Sequence, residues 1–365
     1  MLGSASRDSM SFKVSVRPSG REFAAEPTEN ILDAALRAGV GLPFGCKDGA
    51  CGSCKARVLS GQVEQGWHAA PALSHEEHEA GLALLCCAQA RSDLVVEVRE
   101  VAGYGDFPAR KMPCRITHLE RAAPDVVIVT LQLPVNERLQ YRAGQFLEFT
   151  LGAGARRCYS IATAPHADEP ISIHVRHMPG GVFTDALFGA AAKPIKERDI
   201  LRLEGPLGTF FLRTDTERPI VLLASGTGFA PIKAIAETIF HLRLNRDDPQ
   251  QGRGARPVVL YWGARARRDL YMDALPARWS GEEPNFRYVP VLSDALPQDA
   301  WTGRTGFVHR AVMEDLPDLS QHDVYACGAP AMVEAAHRDF VHACGLPEER
   351  FFADAFTSKA DVVKD

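Results

Sequence analysis

Four cysteines constrain the fold of this chain more than any other feature of its sequence. Cys46, Cys51 and Cys54 stand at the spacing C-x4-C-x2-C, and Cys86 follows after 31 intervening residues. This spacing is typical of a plant-type [2Fe–2S] site, in which one short loop must bring thiolates to two irons. Glycines within the loop let the backbone turn closely around the inorganic sulfides. The sequence therefore predicts that these four cysteines hold an iron–sulfur cluster.

A zinc site and a disulfide framework are the alternatives for these cysteines. Structural zinc sites usually contain two C-x2-C pairs, whereas only Cys51 and Cys54 form such a pair here. Disulfide frameworks belong to secreted chains, and the composition around these cysteines is that of an intracellular chain. Cys87 competes with Cys86 for the fourth position. Cys86 is favoured because Ser92-Asp93-Leu94 then lies where similar ferredoxins have it.

Length and composition narrow the class of protein. The chain has 365 residues, which is enough for two or three domains. Its charged content of 24% is ordinary for a globular protein, and its net charge of −5 gives no sign of nucleic-acid binding. Nine cysteines without an apolar leader predict a reducing, cytoplasmic compartment. Residues 1–10 are expected to form a disordered leader, in which Met10 is an alternative start. No apolar run reaches the roughly 18 residues of a membrane span, so none is expected.

Residues 11–100 predict a small ferredoxin-like domain around the cysteine loop. Local patterns indicate paired strands, a helix with Thr28 as its cap and Gly39 as its stop, and a capping box that begins at Ser74. The strands are expected at 12–16, 21–25 and 94–98, and the helix at 31–36. This range carries nine Lys and Arg against twelve Asp and Glu, a mild acidity that permits steering toward a basic docking face. Residues 101–112 are interpreted as a linker.

Residues 113–215 predict an antiparallel barrel, because short apolar alternations are separated by turn residues. The alternations are 126–131, 146–149, 171–175 and 200–203, and 205–208 is expected to end the barrel in a tight turn. One strand carries Arg157-Cys158-Tyr159-Ser160. Arg157 would hold a phosphate, Tyr159 would lie along a flavin ring, and Ser160 would bond to the ring edge near N5. By itself this four-residue motif is a weak signal.

A second motif leads from the barrel into a helix. Gly180 and Gly181 precede Thr184, and glycines before a helix can present free N–H groups to a pyrophosphate. A turn followed by a capped helix is the alternative. The two motifs support each other because they occur in this order after a cluster domain. The predicted cofactor site also includes His174 and Val175, on the strand between them.

Residues 216–365 predict a doubly wound parallel sheet. Its first strand is the apolar run 219–224, and Gly226-Thr227-Gly228 with Pro231 then opens a helix. A phosphate-binding loop needs this context of strand, glycine loop and helix, and ligands of such sheets lie at the carboxyl ends of the strands. Pro231 stands where the dinucleotide fingerprint has a third glycine. Further strands are expected at 257–262, 286–291 and 323–326.

Other candidates for the nucleotide site lie in the same region. Cys327 and Gly328 follow a later strand. A reactive thiol is one interpretation of Cys327, but a small residue beside the nicotinamide fits better because no base is evident near it. Arg265 is expected either to bind the adenosine end or a 2′-phosphate, or to lie in a solvated loop. Phe356 is expected to be either core or a cap on the flavin.

With these motifs in place, the chain resembles the iron–sulfur flavoprotein reductases of the ferredoxin–NADP reductase superfamily. The resemblance runs from about Phe12 to Asp361, and 301–310 favours the CDP-6-deoxy-delta-3,4-glucoseen reductase group over the oxygenase reductases. Cys158 departs from the family pattern, in which a larger or hydroxylic residue is commoner. The resemblance implies a multidomain α+β and α/β fold. Its parts are a plant-type ferredoxin β-grasp over 11–100, an FAD-binding β-barrel over 113–215 and a doubly wound NAD(P)H-binding domain over 216–365.

The resemblance also implies the cofactors, the partner and the reaction. They are a [2Fe–2S] cluster, FAD and NADH or NADPH, with a protein as electron acceptor. Hydride would pass from nicotinamide C4 to flavin N5, and single electrons would then reach the cluster, since flavin can hold one or two electrons. Ser160, Thr227, Cys327 and Phe356 are the predicted catalytic residues. The favoured acceptor is a pyridoxamine-phosphate dehydratase acting on a CDP-hexose. An oxygenase component is the alternative, and a redox carrier or sensor without a dedicated substrate is less favoured.

Overall fold

The computed structural model describes residues 11–250 and 252–357, so the leader expected at 1–10 lies outside the described residues. Contacts divide the chain into two compact units. The first contains the described residues up to Phe107 together with Thr357, and the second runs from Pro108 to Phe356. Within the described part of the chain, no helix is long and apolar enough to cross a membrane.

The first unit is built on a five-stranded sheet. Its elements are β1 (Phe12–Arg17), β2 (Glu22–Ala25), α1 (Ile31–Arg37), β3 (Lys55–Ser60), β4 (Val63–Gln65), α2 (His75–Glu79), β5 (Leu82–Leu84), β6 (Ala88–Ala90) and β7 (Leu94–Glu97). The strand order is β2-β1-β7-β3-β5, and β4 pairs with β6 in a separate ribbon. β1 pairs antiparallel with β2 and parallel with β7. α1 buries its apolar residues, and the cysteine loop occupies the connection between α1 and β3.

The predicted caps of this unit had mixed outcomes. Ser74 forms the expected capping box with Glu77 at the start of α2, and Gly39, at φ +72°, follows the end of α1 as expected. The prediction of Thr28 as the cap of α1 is wrong, because Asn30 is the residue before the helix and makes no side-chain cap bond. Asn30 instead bridges to Gln89, and this long-range pairing delays the start of the helix.

The first half of the second unit is an antiparallel barrel. Its elements are β8 (Arg110–Ala123), β9 (Val126–Gln132), β10 (Phe146–Thr150), β11 (Arg156–Ser160), β12 (Ile171–Arg176), α3 (Val182–Leu187) and β13 (Ile200–Leu207). The strand order is β11-β10-β13-β8-β9-β12. A bridge between Ile161 and Ile173 joins the two ends of this order. Alternate apolar residues of the strands fill the interior, including Phe149 and Val175.

The turn expected at 205–208 is wrong, because β13 continues through Gly205 and Pro206 to Leu207. β10 pairs Phe146 with Leu207 but Glu148 with Glu204, so β13 carries one extra residue there. Such a bulge accommodates a proline, which has no N–H to give to the sheet.

The second half of this unit is a parallel sheet between helices. Its elements are β14 (Ile220–Ser225), α4 (Phe229–His241), β15 (Val258–Ala264), α5 (Ala274–Glu282), β16 (Phe286–Leu292), β17 (Arg304–Thr305), α6 (Val308–Asp315), β18 (Asp323–Gly328), α7 (Pro330–Ala343) and β19 (Phe351–Ala355). The order is β17-β16-β15-β14-β18-β19, and every neighbouring pair is parallel. β14 is buried on both faces, with Leu222 packed in one core cluster and Leu223 in the other. An apolar run buried on two faces is the expected sequence of such a strand.

A buried ion pair fixes the connection between the barrel and the parallel sheet. Arg256 and Asp323 are fully buried, and Nη2 of Arg256 lies 2.9 Å from Oδ2 of Asp323. The same guanidinium donates to the carbonyl oxygens of Arg213 and Arg218, in the connecting segment. A buried arginine is stable only when its donors are paired, so these bonds hold the segment in one place.

Candidate functional site

The cysteine loop directs backbone N–H groups at its own sulfur atoms. The N–H groups of Ala50 and Cys51 each donate to Sγ of Cys46 over 3.3 Å, and the Cys46 N–H donates to Sγ of Cys51 over 3.4 Å. Hydrogen bonds of this kind stabilise thiolate ligands and tune the potential of an iron–sulfur cluster. The loop therefore has the donor arrangement that a cluster needs.

Glycines permit the path of this loop. Gly49 and Gly52 have φ values of +80° and +76°, a region that other residues rarely adopt. A Cβ added at Gly49 would lie 2.9 Å from the carbonyl oxygen of Trp67. A side chain at Gly49 would thus both strain the backbone and push the neighbouring segment away from the cysteines.

The fourth cysteine comes from the β5–β6 connection. The N–H of Cys86 donates to Sγ of Cys54 over 3.5 Å, and both residues are buried. Cys87 is only half-buried, and its Sγ accepts a hydrogen bond from Nε2 of Gln65 over 3.1 Å. These contacts join Cys86 to Cys54 and Cys87 to Gln65, and Sγ of Cys87 also lies 3.2 Å from the position of a Cβ on Gly49. The choice of Cys86 as the fourth ligand stays a prediction.

The sulfur atoms are close enough to share protons. The hydrogen bond to Cys46, and then burial, raise the pKa of the Cys51 thiol well above its ordinary value. Metal binding displaces such protons. Among the described residues, no three His, Cys, Asp or Glu side chains converge where they could hold one metal ion. Each iron of a [2Fe–2S] cluster takes two cysteine thiolates, so this cluster does not require such a group.

The arginine and tyrosine of the predicted flavin motif lie on β11 of the barrel. Tyr159 is half-buried, and its ring lies 5.2 Å from the ring of Phe183 and 6.0 Å from that of Phe149. Burial raises the pKa of the Tyr159 phenol, so this residue is a neutral, largely apolar surface. Arg157 pairs with no carboxylate in residues 11–250 and 252–357. Its charge is therefore free for an anionic ligand.

The glycine pair before α3 is held by Thr184. The buried Thr184 hydroxyl donates to the carbonyl oxygen of Met178 over 2.8 Å and accepts from the Met178 N–H over 3.2 Å. A Cβ added at Gly181 would lie 2.5 Å from this hydroxyl. The side chain of Thr184 thus stabilises the turn itself. The pyrophosphate contact predicted for this segment would have to come from its backbone.

His174 and Val175 have buried side chains. Nδ1 of His174 lies 2.8 Å from the hydroxyl of Tyr271, on the connection after β15. Burial lowers the pKa of His174 to about 3, so the imidazole is neutral. Val175 lies in the barrel core. The structure brings neither side chain to an open surface.

The glycine loop after β14 packs tightly against the end of β18. Gly226–Gly228 forms a single 3-10 turn that leads directly into α4, with Pro231 in its first turn. A Cβ added at Gly228 would lie 2.5 Å from the carbonyl carbon of Cys327, and one at Gly328 would lie 2.5 Å from the carbonyl oxygen of Ser225. The structure thus brings Thr227 and Cys327 to the same edge of the sheet.

Sequence reasoning missed an arginine at this edge. Nη1 of Arg176, the last residue of β12, lies 2.7 Å from the position of a Cβ on Gly226. Nε of Arg176 is 3.1 Å from Oδ2 of Asp125, in an ion pair whose angle makes no hydrogen bond. Arg265 pairs with Asp269 over 3.1 Å and with Asp125 over 3.5 Å. The sequence feature that could have indicated Arg176 is a cationic residue at the end of a strand, shortly before Gly180-Gly181.

The last strand contributes a second residue that was missed. Asp354, on β19 opposite Cys327, accepts a hydrogen bond from the Ser160 hydroxyl over 3.4 Å. The Phe356 N–H donates to the carbonyl oxygen of Gly328, and the Phe356 ring packs on the core. Three of the predicted catalytic residues are therefore linked through β18 and β19. The sequence feature that could have indicated Asp354 is an aspartate between apolar positions of the last strand.

The burial of Cys327 bears on its two interpretations. The thiol is fully buried, and this burial raises its pKa well above the ordinary value. A thiol nucleophile acts as a thiolate and needs the opposite shift. The surroundings favour Cys327 as a small neutral side chain.

Replacing Asp354 with Asn is expected to change how stability depends on pH. Burial raises the pKa of Asp354 to about 6, above its value in the unfolded chain. The folded protein therefore retains a proton that the unfolded chain releases between about pH 4 and 6, so the free energy of unfolding falls as pH rises across that window. Asparagine keeps the neutral form. The variant should gain about 3 kcal/mol over the wild type at pH 8 and little at pH 4.

Thermal unfolding of both proteins at pH 4 and pH 8 measures this difference. A difference between wild-type and variant midpoints that is the same at pH 4 and pH 8 would show that the site does not raise the pKa of Asp354. The difference between the midpoints of the two proteins at each pH removes the contribution of every other titrating group.

Three family models match the chain in sequence. The 2Fe-2S iron-sulfur cluster binding domain matches residues 14–91, the oxidoreductase FAD-binding domain residues 113–212, and the oxidoreductase NAD-binding domain residues 222–338. These matches confirm the predicted cofactors and fold class. They also decide against zinc as the metal of the cysteine loop.

Individual relatives span nearly the whole chain. It is 42% identical over 347 residues to the CDP-6-deoxy-L-threo-D-glycero-4-hexulose-3-dehydrase reductase of Yersinia pseudotuberculosis serotype I (strain IP32953), covering 95% of this chain and 99% of the relative. It is 32% identical over 351 residues to reductase component 1 of terephthalate 1,2-dioxygenase from Comamonas sp, covering 96% and 98%. The solved structure of an Amycolatopsis cytochrome P450 reductase is 37% identical, with a TM-score of 0.74 over 95% of this chain and 99% of that one. The chain therefore belongs to the iron–sulfur flavoprotein reductases of the ferredoxin–NADP reductase superfamily, and it is an NAD(P)H-dependent electron-transfer oxidoreductase.

Proposed function

We propose that this reductase delivers electrons from NADH to a dehydrase that acts on a CDP-linked deoxyhexose. The observation that carries the proposal is the 42% identity to a dehydrase reductase over 95% of the chain. When bound, FAD accepts two electrons as hydride from NADH and releases them singly to the [2Fe–2S] cluster. The nine cysteines, none of them in a disulfide, support work in the reducing cytoplasm.

We assign the nucleotide to the carboxyl edge of the parallel sheet. The turn Gly226–Gly228 leads directly into α4, so the free N–H groups of the α4 N-terminus lie at this edge. The Arg176 guanidinium lies across Gly226 and has a buried Nε without a hydrogen-bond acceptor. A cation placed in this way over a glycine loop suits a pyrophosphate. Phe307, 69% exposed after β17, is a flat apolar surface for an adenine at the same edge.

We also propose flavin contacts for three of the residues that the sequence predicted for this site. Tyr159 offers a ring backed by Phe183, and Ser160 is oriented by Asp354. Phe356 is held by its backbone bond to Gly328 while its ring is only partly buried. A ring held at its backbone but free at its edge can cover a cofactor face and yield it to the nicotinamide.

Replacing Arg157 with Ala is expected to weaken FAD retention by about ten- to a hundredfold, because a charge-assisted hydrogen bond to phosphate would be lost. The flavin content after gel filtration and a titration of the apoprotein with FAD measure this effect. Arg156→Ala is the matched control, since Arg156 is the preceding residue on β11 but pairs with Glu148 over 3.1 Å. Equal FAD affinity in the two variants would remove Arg157 from the flavin site.

Reconstitution tests the proposed acceptor. The reductase, NADH and a CDP-6-deoxy-L-threo-D-glycero-4-hexulose-3-dehydrase are combined without oxygen, and conversion of the CDP-sugar is followed. The proposal expects sugar reduction that depends on NADH and on the reductase. Efficient supply of a terminal dioxygenase such as terephthalate 1,2-dioxygenase, with no supply of the dehydrase, would assign the chain to the oxygenase reductases instead.

A further inference from the structure

A tryptophan stands in solvent beside the cysteine loop. Trp67 follows β4 and is 59% exposed. Tryptophan is largely buried in most proteins, and an indole in water loses the free energy that its burial would provide. None of the functions described above uses this side chain.

The backbone around Trp67 is fixed to the segments that carry the cysteines. The N–H of Gly66 donates to the carbonyl oxygen of Cys87 over 2.7 Å, and the N–H of Ala69 donates to that of Gly49 over 3.1 Å. Gly49 lies between Cys46 and Cys51, and Cys87 follows Cys86. The backbone on both sides of Trp67 is therefore bonded to segments that carry the cysteines.

Exposed acidic side chains lie on the segments next to the cysteines. Asp48 in the cysteine loop and Glu76 on α2 are exposed, and within the described chain neither forms an ion pair with Lys or Arg. α2 has no buried residue, and Glu77 joins it to Lys55, directly after Cys54, through an ion pair of 2.6 Å. Residues 11–100 as a whole carry more Asp and Glu than Lys and Arg. An exposed aromatic with acidic neighbours is the composition of an interface anchor and its polar rim.

We propose that Trp67 anchors the external protein that takes electrons from the cluster, with Asp48 and Glu76 as part of its rim. The occupant is a basic protein with a redox centre near its surface and an apolar recess for the indole. This inference rests on the proposed delivery of electrons to a protein acceptor. Tryptophan is prominent among the few side chains that carry most of the affinity at interfaces. Opposite charges on the two partners speed and orient the encounter.

Cytochrome c tests this surface, because it is a small basic protein with an exposed haem edge. NADH-dependent reduction of cytochrome c at low salt is compared with that of ferricyanide, which takes electrons from the flavin without docking. Trp67→Ser should lower kcat/KM for cytochrome c about tenfold and leave ferricyanide reduction within about twofold. Trp67→Phe should recover most of the loss. Leu59→Ser is the matched control, since Leu59 is 50% exposed on β3, about 16 Å of strand away from Cys54.

Charge is tested on the same reaction. Asp48→Asn with Glu76→Gln should flatten the fall of the rate with ionic strength, because fewer opposite charges would then be screened. An unchanged salt dependence would remove these two residues from the rim.

Three other results would each overturn the anchor. The first is an unchanged rate for Trp67→Ser. The second is slower NADH-driven appearance of the reduced-cluster EPR signal, which would assign the indole to contact within the chain. The third is a wild-type dimer that dissociates in Trp67→Ser, which would assign the indole to an interface with a second copy of this chain. If the wild type itself reduces ferricyanide but not cytochrome c, delivery of electrons from the cluster to an external protein fails instead.

Discussion

Replacing Cys51 with Ser is expected to abolish electron delivery through the cluster while leaving the flavin reaction intact. Cys51 both supplies a sulfur and, through its N–H, supports the sulfur of Cys46 over 3.3 Å. A serine hydroxyl is a far poorer iron ligand than a thiolate. Loss of a residue that only supports a ligand costs about 10- to 100-fold, so loss of a ligand should lower cytochrome c reduction by more than about 100-fold. Ferricyanide reduction with NADH should stay within about twofold.

The matched control is Cys87→Ser, in the cysteine beside Cys86. Cys87 bonds to Gln65, so its variant should keep both the iron content and the activity. Loss of the cluster in Cys87→Ser, with retention in Cys86→Ser, would exchange the two residues as ligands. Loss of ferricyanide reduction in Cys51→Ser would show that the flavin-containing unit depends on the cluster loop for its own fold.

Replacing Gly228 with Ala is expected to weaken the reaction with NADH strongly while leaving FAD bound. A Cβ at this position would overlap the carbonyl group of Cys327, with 2.5 Å to its carbonyl carbon. The carbonyl group of Cys327 is part of the backbone, and so is the Cα that would carry the new Cβ, so neither group can rotate away. β14 and β18 must therefore separate at the edge where the nucleotide is assigned. We expect kcat/KM for NADH to fall about 100-fold, which corresponds to about 2.7 kcal/mol. Stopped-flow reduction of the flavin over a range of NADH concentrations measures this loss.

Gly281→Ala is the control for this substitution, because Gly281 lies in α5 of the same sheet unit and a Cβ there would meet nothing within 4 Å. Alanine in a helix is more favourable than glycine, so this variant should be as active as the wild type. Normal NADH kinetics in Gly228→Ala would show that the contact with Cys327 can relax. The nucleotide would then need another site.

Patterns that are local in the sequence predicted their elements well. The apolar run 219–224 became β14, one residue displaced, because a strand buried on both faces needs an unbroken apolar sequence. The capping box at Ser74 formed because both of its hydrogen bonds join residues three apart. The cysteine spacing predicted the iron–sulfur domain for the same reason, since three of the four predicted ligands lie within one loop.

Features that depend on distant residues were not predictable from these patterns. The start of α1 moved from Thr28 because Asn30 bridges to Gln89, and the 205–208 turn failed because a bulge against β10 absorbs Pro206. The bond between Ser160 and Asp354 joins residues 194 apart. No local pattern reveals such a pair, because these two residues come together only when the second unit folds.

An anaerobic titration of the cluster-loaded protein with NADH, followed by visible absorption and EPR, tests the electron path from NADH to the cluster. We expect the flavin to bleach and a reduced [2Fe–2S] signal then to appear, and we expect flavin bleaching alone in the same titration of Cys51→Ser. Flavin bleaching without any cluster signal in the wild type would contradict this path, and the chain would then be a flavin reductase whose iron–sulfur domain receives no electrons from NADH.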